Sequence, residues 1–292
     1  MTIDTAPYRV PPNEQVTLRK RPTRIDPLYV TKRDYEERLE ANRARLREDQ
    51  SLLYAHNRYA LLLIFQAMDG AGKDSAIKHV MSGINPQACQ VHSFKAPSAE
   101  ELDHDFLWRT TVRLPERGRI GIFNRSYYEE VLVARVRPEV LARQKLPDEL
   151  TSDHGIWDKR FESINDFERH LHRNGTRVVK FFLHLSKEEQ ARRLLSRIDD
   201  PRKNWKFDGG DLVERERWDQ YQAAYETCLS ATATKHAPWY VVPADDKKTA
   251  RLIISQLIVE ALDALDLHYP KLNATQREEM QTARRVLENE RR

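Results

Sequence analysis

Two kinds of apolar pattern run along this chain, and their alternation sets the expected fold. Leu61–Phe65 form an unbroken apolar run, and VVKFFLHL at Val178–Leu185 forms a second. Short continuous runs of this kind suit strands buried on both faces, as in a parallel sheet covered by helices. Three weaker strand signals stand at Gln90–Lys95, Arg119–Phe123 and Trp239–Val242, the last bounded by Pro238 and Pro243. Between them apolar residues recur at helical spacing. Tyr35, Leu39, Leu46 and Leu53 predict a helix over Thr31–Asn57; Ala76, Ile77 and Val80 predict one after Lys73. Ser98 with Glu101, and Ser186 with Glu189, have the spacing of capping boxes. The first is expected to open a helix that buries Leu102, Phe106, Leu107 and Trp108. Further helices are expected over Ile156–His172, Asp211–Ala233 and Thr249–Leu267. Strands alternating with helices predict a three-layer α/β/α sandwich around a five-stranded parallel sheet.

The first strand runs into Asp69-Gly70-Ala71-Gly72-Lys73-Asp74, ahead of a helix. Strand, glycine turn and helix is the setting in which backbone N–H groups and a helix N-terminus cradle phosphate, with Lys73 adding a full charge. The pattern G-x-x-x-x-G-K-[ST] would need Gly at 67 and Ser or Thr at 74; here stand Ala67 and Asp74. Two acids, Asp69 and Asp74, in a loop built for anions make sense if Mg²⁺ lies between them and the phosphates. The plainer alternative is an ordinary strand-to-helix turn with a surface lysine.

Composition narrows the class. The 292 residues are 32% charged and 40% hydrophobic, with a net charge of only +4, so the total does not call for an anionic polymer. Cys89 and Cys228 lie far apart and fit neither a metal nor a disulfide framework, which suits two reduced thiols. No apolar core resembles a signal peptide and no apolar run is long enough to span a bilayer, so a cytoplasmic protein without membrane contact is expected. Residues 1–30, rich in proline and charge, read as an extended arm. Residues 31–270 read as one domain and 271–292 as a charged helix or tail. The Arg19-Lys20-Arg21 run suits a solvated arm better than a binding site.

Candidate chemistry gathers where strands end. Lys95 follows the second strand, and Arg125, Glu129, Glu130 and Arg135 follow the third. An arginine with carboxylates at a strand end beside a phosphate loop is what phosphoryl transfer needs. The most basic short segment holds Arg192, Arg193, Arg197, Arg202, Lys203 and Lys206, closing in Trp205, Phe207 and Gly209-Gly210. It has the form of a phosphate-closing lid near residues 192–217. A basic surface helix is the alternative.

FQAMDGAGKD (Phe65–Asp74), FLWR (Phe106–Arg109), FNRSYYEEVLV (Phe123–Val133), KFFLHLSKEEQ (Lys180–Gln190), NWKF (Asn204–Phe207), WDQYQAAYE (Trp218–Glu226) and APWYVVPA (Ala237–Ala244) together resemble the type 2 polyphosphate kinase family, from about Leu52 to Leu267. The resemblance implies a P-loop kinase-like fold and transfer of the terminal phosphoryl group of inorganic polyphosphate to AMP or ADP, with Mg²⁺ or Mn²⁺, in a homo-oligomer such as a dimer or tetramer. By the same resemblance Gly70, Ala71, Gly72, Lys73 and Asp74 cradle phosphate. Asp69 and Glu130 hold metal, Asp69 also positioning the acceptor, and Arg125 neutralises the transferring group. Arg135 meets the anionic chain, with Arg193, Arg197 and Lys206 in the lid; Lys95, from its place after the second strand and not from the resemblance, is a candidate phosphate contact, with an ordinary surface lysine as the alternative. The family commonly has Glu-Asp where this chain has Glu129-Glu130. The form of that motif resembles the branch accepting both AMP and ADP. An ATP-dependent P-loop kinase and a non-catalytic nucleotide-binding regulator are the rival readings. Nucleic-acid binding is disfavoured by the modest charge and the few clustered aromatics.

Overall fold

A computed structural model describes residues 3–151 and 155–290; the extreme ends of the expected arm and tail lie outside these. All five expected strands form: β1 (Ala60–Gln66), β2 (Cys89–Ser93), β3 (Ile120–Asn124), β4 (Thr176–His184) and β5 (Trp239–Pro243). They pair in parallel in the order β2-β3-β1-β4-β5. The chain first builds outward on one side of β1 and then on the other, so the loops after β1 and β3 open into the crevice where such sheets take ligands. Burial on both faces explains the apolar run in β1. Leu61, Leu63 and Phe65 enter one core cluster, while Leu62 and Ile64 enter the other.

The helices are α1 (Lys32–His56), α2 (Lys73–Val80), α3 (Ala99–Leu102), α4 (Trp108–Thr111), α5 (Glu129–Val136), α6 (Pro138–Ala142), α7 (Asp148–Thr151), α8 (Ile156–Arg173), α9 (Lys187–Asp199), α10 (Gly210–Glu216), α11 (Trp218–Thr232), α12 (Lys247–Asp263) and α13 (Ala274–Glu290). One face of the sheet carries α2 and α12, and α1 lies against the outer side of α12. Covered from both sides, α12 is buried almost all round. The opposite face carries α5, α8 and α11. No helix among the described residues is long and apolar enough to cross a membrane. Both cysteines are free thiols, and burial pushes Cys228 up to about 12.

Three local expectations need correction. The helix opened by Ser98 keeps its complete capping box but ends at Leu102; α4 is a separate turn, and Leu102, Phe106, Leu107 and Trp108 are only half-buried. At Ser186 only half the box forms, because the Glu189 carboxylate is taken by Arg192 and Arg193. The expected helix over Asp211–Ala233 divides at Arg217 into α10 and α11. The N-terminal arm is also more than a surface strand. Val10 N–H donates to Trp239 O at 2.9 Å, Arg9 bridges Tyr240 in antiparallel fashion, and Tyr8, Val10, Val16 and Leu18 are buried. The arm thereby closes the free edge of β5, a position that otherwise invites intermolecular pairing.

Candidate active site

The loop after β1 turns on two glycines in the left-handed region, Gly70 at φ +82° and Gly72 at φ +98°. A side chain at Gly70 would also press on Gln190, with its Cβ 3.3 Å from Cγ. No side chain caps the first turn of α2 at Gly72, so its amide groups remain donors for an anion. The loop carbonyls face the other way, because α9 holds them. Gln190 Nε2 donates to Asp69 O at 2.8 Å, and Arg193 Nη1 donates to Gly70 O at 3.1 Å and Ala71 O at 2.7 Å. Arg193 completes its set with Ala244 O at 2.6 Å, Asp245 O at 3.1 Å and Glu189 Oε1 at 2.7 Å. All five donors of a guanidinium are then in use. Arg193 is buried, and it braces the loop instead of lying in the lid as its sequence neighbourhood suggested.

Lys73 is buried and its Nζ donates to Ala67 O at 2.9 Å. Burial, with Arg125 adding to it, lowers the ammonium below its ordinary value against the pull of Asp69, Glu129 and Asp74. Asp74 is exposed and accepts from the Asn124 side-chain amide at the end of β3. Arg125 adopts φ +64°, rare for a residue with a side chain, while its N–H donates to Phe65 O at 3.0 Å. The kink turns the guanidinium toward the loop. Nη2 lies 2.6 Å from Asp69 Oδ1 and Nη1 lies 3.3 Å from Glu129 Oε2. Glu129 first, then Asp69, hold Arg125 above its already high value.

Asp69, Arg125 and Glu129 open onto a cavity of about 280 Å³. Asp69, Lys95, Arg109, Arg125, Glu129, Arg137 and Arg143 bring charge to its wall, with Tyr221 and Tyr225 on the α11 side. Glu130 also lines it, but its carboxylate accepts from Gln144 and is buried, and burial raises it above its ordinary value against Arg160 and Arg109. The acid that shares Arg125 with Asp69 is therefore Glu129. Arg135 does not reach the cavity; its guanidinium lies 5.9 Å from the Trp157 ring centroid. Residues 129, 133 and 137 share one face of a helix at successive spacings of four, and Arg135 falls off it. The sequence reading thus missed Arg137, although its spacing of two successive four-residue steps from Glu129 carries that signal. It also missed Arg109 and Arg143 as cavity residues. In the basic segment expected to act as a lid, Arg197 pairs with Asp211 at 2.6 Å and Lys206 Nζ lies over the exposed Trp205 ring at 4.9 Å. Lys247, at the start of α12, adds a cation beside Gly72.

No group of three or more metal-ligating side chains occurs among the described residues. Asp69 and Glu129 nonetheless supply two hard oxygen donors on one side of the cavity, enough for a cation that takes its other ligands from substrate phosphates and water.

A model of the family described as polyphosphate kinase 2 matches residues 29–270. An ADP-polyphosphate phosphotransferase of Rhodopseudomonas palustris is 57% identical over 287 residues, 98% of this chain and 99% of that protein. An AMP/ADP-polyphosphate phosphotransferase of Meiothermus ruber is 42% identical, over 90% of this chain and 95% of the other. The crystal structure of polyphosphate kinase 2 from Arthrobacter aurescens superposes with a TM-score of 0.84 at 39% identity, covering 97% of this chain and 99% of that one.

Proposed function

The chain belongs to the polyphosphate kinase 2 family, and from that premise we propose that it moves the terminal phosphoryl group of inorganic polyphosphate onto ADP and AMP, giving ATP and ADP. The observation that carries the reading is the Asp69–Arg125–Glu129 cluster, set beside the glycine loop at the mouth of a cavity walled by arginines.

Donor and acceptor are both polyanions, so their approach is opposed by charge and helped chiefly by fixed cations and by alignment. The cavity seats the acceptor, with Arg109, Arg137, Arg143 and Lys95 facing its phosphates. An acceptor phosphate oxygen attacks the terminal phosphorus of the chain. The bond to the bridging oxygen breaks, and polyphosphate leaves one unit shorter. Nucleotide phosphates are already ionised near neutral pH, so Asp69 orients the acceptor and no strong base is needed. Arg125 neutralises the transferring group. Lys73, held at Ala67 O in the free protein, turns to the phosphates, whose negative charge offsets the burial that lowers it. Lys247, Arg197 and Lys206 meet the rest of the polymer, the last two as the lid closes. Asp69 and Glu129 would hold Mg²⁺, or Mn²⁺, which when bound supplies charge neutralisation on the phosphates.

The test is an assay with purified protein, Mg²⁺ and long-chain polyphosphate, offering ADP or AMP separately and resolving products by chromatography. ATP from ADP and ADP from AMP is the expected result. Product from ADP alone removes AMP as an acceptor, and product from neither in a folded protein overturns the reading.

A further inference from the structure

Behind the cavity wall, on the face of the sheet that carries α5, α8 and α11, a lysine and a glutamate are sealed in the core. Lys180 of β4 and Glu168 of α8 have no exposed side-chain surface, and Lys180 Nζ lies 2.6 Å from Glu168 Oε2. Nζ also donates to Tyr128 Oη at 2.9 Å and to Thr232 O at 2.8 Å, so its three protons are all placed. The other carboxylate oxygen accepts from two hydroxyls, Tyr127 Oη and Tyr128 Oη, each at 2.8 Å. Burial first, then Glu168, holds both phenols well above their usual value, so they remain protonated donors. Trp239 closes the group, its ring centroid 5.1 Å from Nζ and its indole N–H donating to Thr232 Oγ1 at 2.9 Å.

Packing alone does not account for this arrangement. Two apolar side chains of similar volume would join α8 to β4 without desolvating charge, and replacing buried pairs in that way is often neutral or stabilising. Apolar contact lacks direction, however, whereas hydrogen bonds fix the hydroxyls of two consecutive tyrosines on one oxygen. Those tyrosines join Arg125 to Glu129. A residue at φ +64° persists only where its surroundings over-determine it. On the N-terminal side Arg125 N–H is held by Phe65 O. On the C-terminal side the side chains of the tyrosine pair anchor the turn to the core, while Tyr128 N–H donating to Ser126 Oγ at 3.2 Å, Glu129 N–H to Ser126 O at 3.1 Å and Glu130 N–H to Tyr127 O at 3.2 Å are local ties within the chain.

We propose that Glu168 and Lys180 are positioning residues: through Tyr127 and Tyr128 they hold Arg125 in its left-handed conformation and aim Arg125 and Glu129 at the loop carboxylate Asp69. Neither residue touches the cavity. The kinetic part of this proposal rests on the phosphotransferase reading; the structural part does not.

The experiment uses the full chain and two variants of graded severity. Tyr127→Phe/Tyr128→Phe removes only the two hydroxyls, and Glu168→Gln removes the charge while keeping the shape. Leu257→Ala, in α12 on the opposite face of the sheet, serves as a control that loses core stability away from the turn. The expected result is a fall in kcat of about tenfold or more at a nearly unchanged acceptor KM, larger than that of the control at equal loss of Tm. Crystal structures of the tyrosine double variant and of the parent give a readout independent of turnover. Arg125 is expected to leave positive φ, or its contact with Asp69 to open beyond hydrogen-bonding distance. A kcat that merely follows Tm, as in the control, overturns the proposal. So does a variant structure that keeps both the Arg125 conformation and the 2.6 Å contact. If the parent transfers no phosphoryl group, the phosphotransferase reading fails, and the crystal structures still decide the positioning claim. Should the double variant not fold, Tyr127→Phe alone carries the same comparison.

Discussion

At the scale of single residues, the largest difference between charge content and charge use is at Arg193. Its five donors are spent on four carbonyls and one carboxylate oxygen, so truncation removes a partner from each carbonyl and from Glu189 Oε1, leaving Glu189 to Arg192 alone. Arg193→Ala is expected to cost about 3–5 kcal/mol of stability along with most turnover, measured by denaturant unfolding and the transfer assay. An unchanged unfolding midpoint with only a raised polyphosphate KM would return Arg193 to the lid. Glu130 gives a prediction with a definite sign. Burial raises its folded-state pKa above the ordinary 4.5, so its ionisation opposes folding. Its relative stabilisation is present below the unfolded value and is lost as pH rises through the folded value. Glu130→Gln should therefore raise Tm at neutral pH, and the gain should disappear in acid where the parent is protonated. Thermal unfolding at several pH values checks this, and a neutral-pH loss in the variant would mean that the Arg160 and Arg109 attractions outweigh burial.

At the scale of elements, the arm and the strand edge it closes are coupled. The pattern of residues 1–30 is proline-rich and charged, yet its few apolar residues, Tyr8, Val10, Val16 and Leu18, are the ones the fold buries. Removing residues 1–20 exposes these contacts and the outer edge of β5. Stability should fall by roughly 5 kcal/mol or more, as side-chain burial on this scale implies. The truncated chain should also self-associate, because an unprotected edge presents free backbone donors and acceptors. Chemical denaturation and light scattering measure the two effects; a monodisperse truncation of unchanged stability would show that the arm only rests on the surface. The break of the expected helix at Arg217 is a difference of the same scale. Tyr221 of α11 and Glu214 of α10 hydrogen-bond to one another, and Glu214 also takes Arg137 at 2.9 Å, so α10 turns to follow the cavity instead of continuing α11.

At the scale of the whole molecule, the net charge of +4 conceals a concentration of cations around the glycine loop and the basic segment proposed as a lid, among them Lys73, Lys247, Arg197 and Lys206. A polyanion meeting several of them releases counterions. Polyphosphate affinity is expected to drop by about 10- to 100-fold between about 50 and 200 mM salt; a titration with a flat salt response would exclude a multi-contact channel. The fold itself is legible in the sequence. Continuous apolar runs, helical spacing and the glycine turn are local signals, set by steric preference and by which faces a segment must bury, so strand number, the glycine loop between β1 and α2 and the place of Arg125 at the end of β3 all follow from the sequence. The orientation of charged side chains was not legible. About 100° of rotation per helical residue separates Glu129 from Glu130, and neither composition nor motif fixes which of the two faces Asp69. Arg193 likewise sits in a basic run whose local pattern reads as a lid, while its partners are carbonyls at positions 70, 71, 244 and 245. The sequence by itself determined the α/β sandwich, its loop and the family. Only the tertiary structure decided which arginine braces the loop, which carboxylate pairs with Arg125 and which ion pair lies in the core, because those arrangements depend on groups brought together across the sheet.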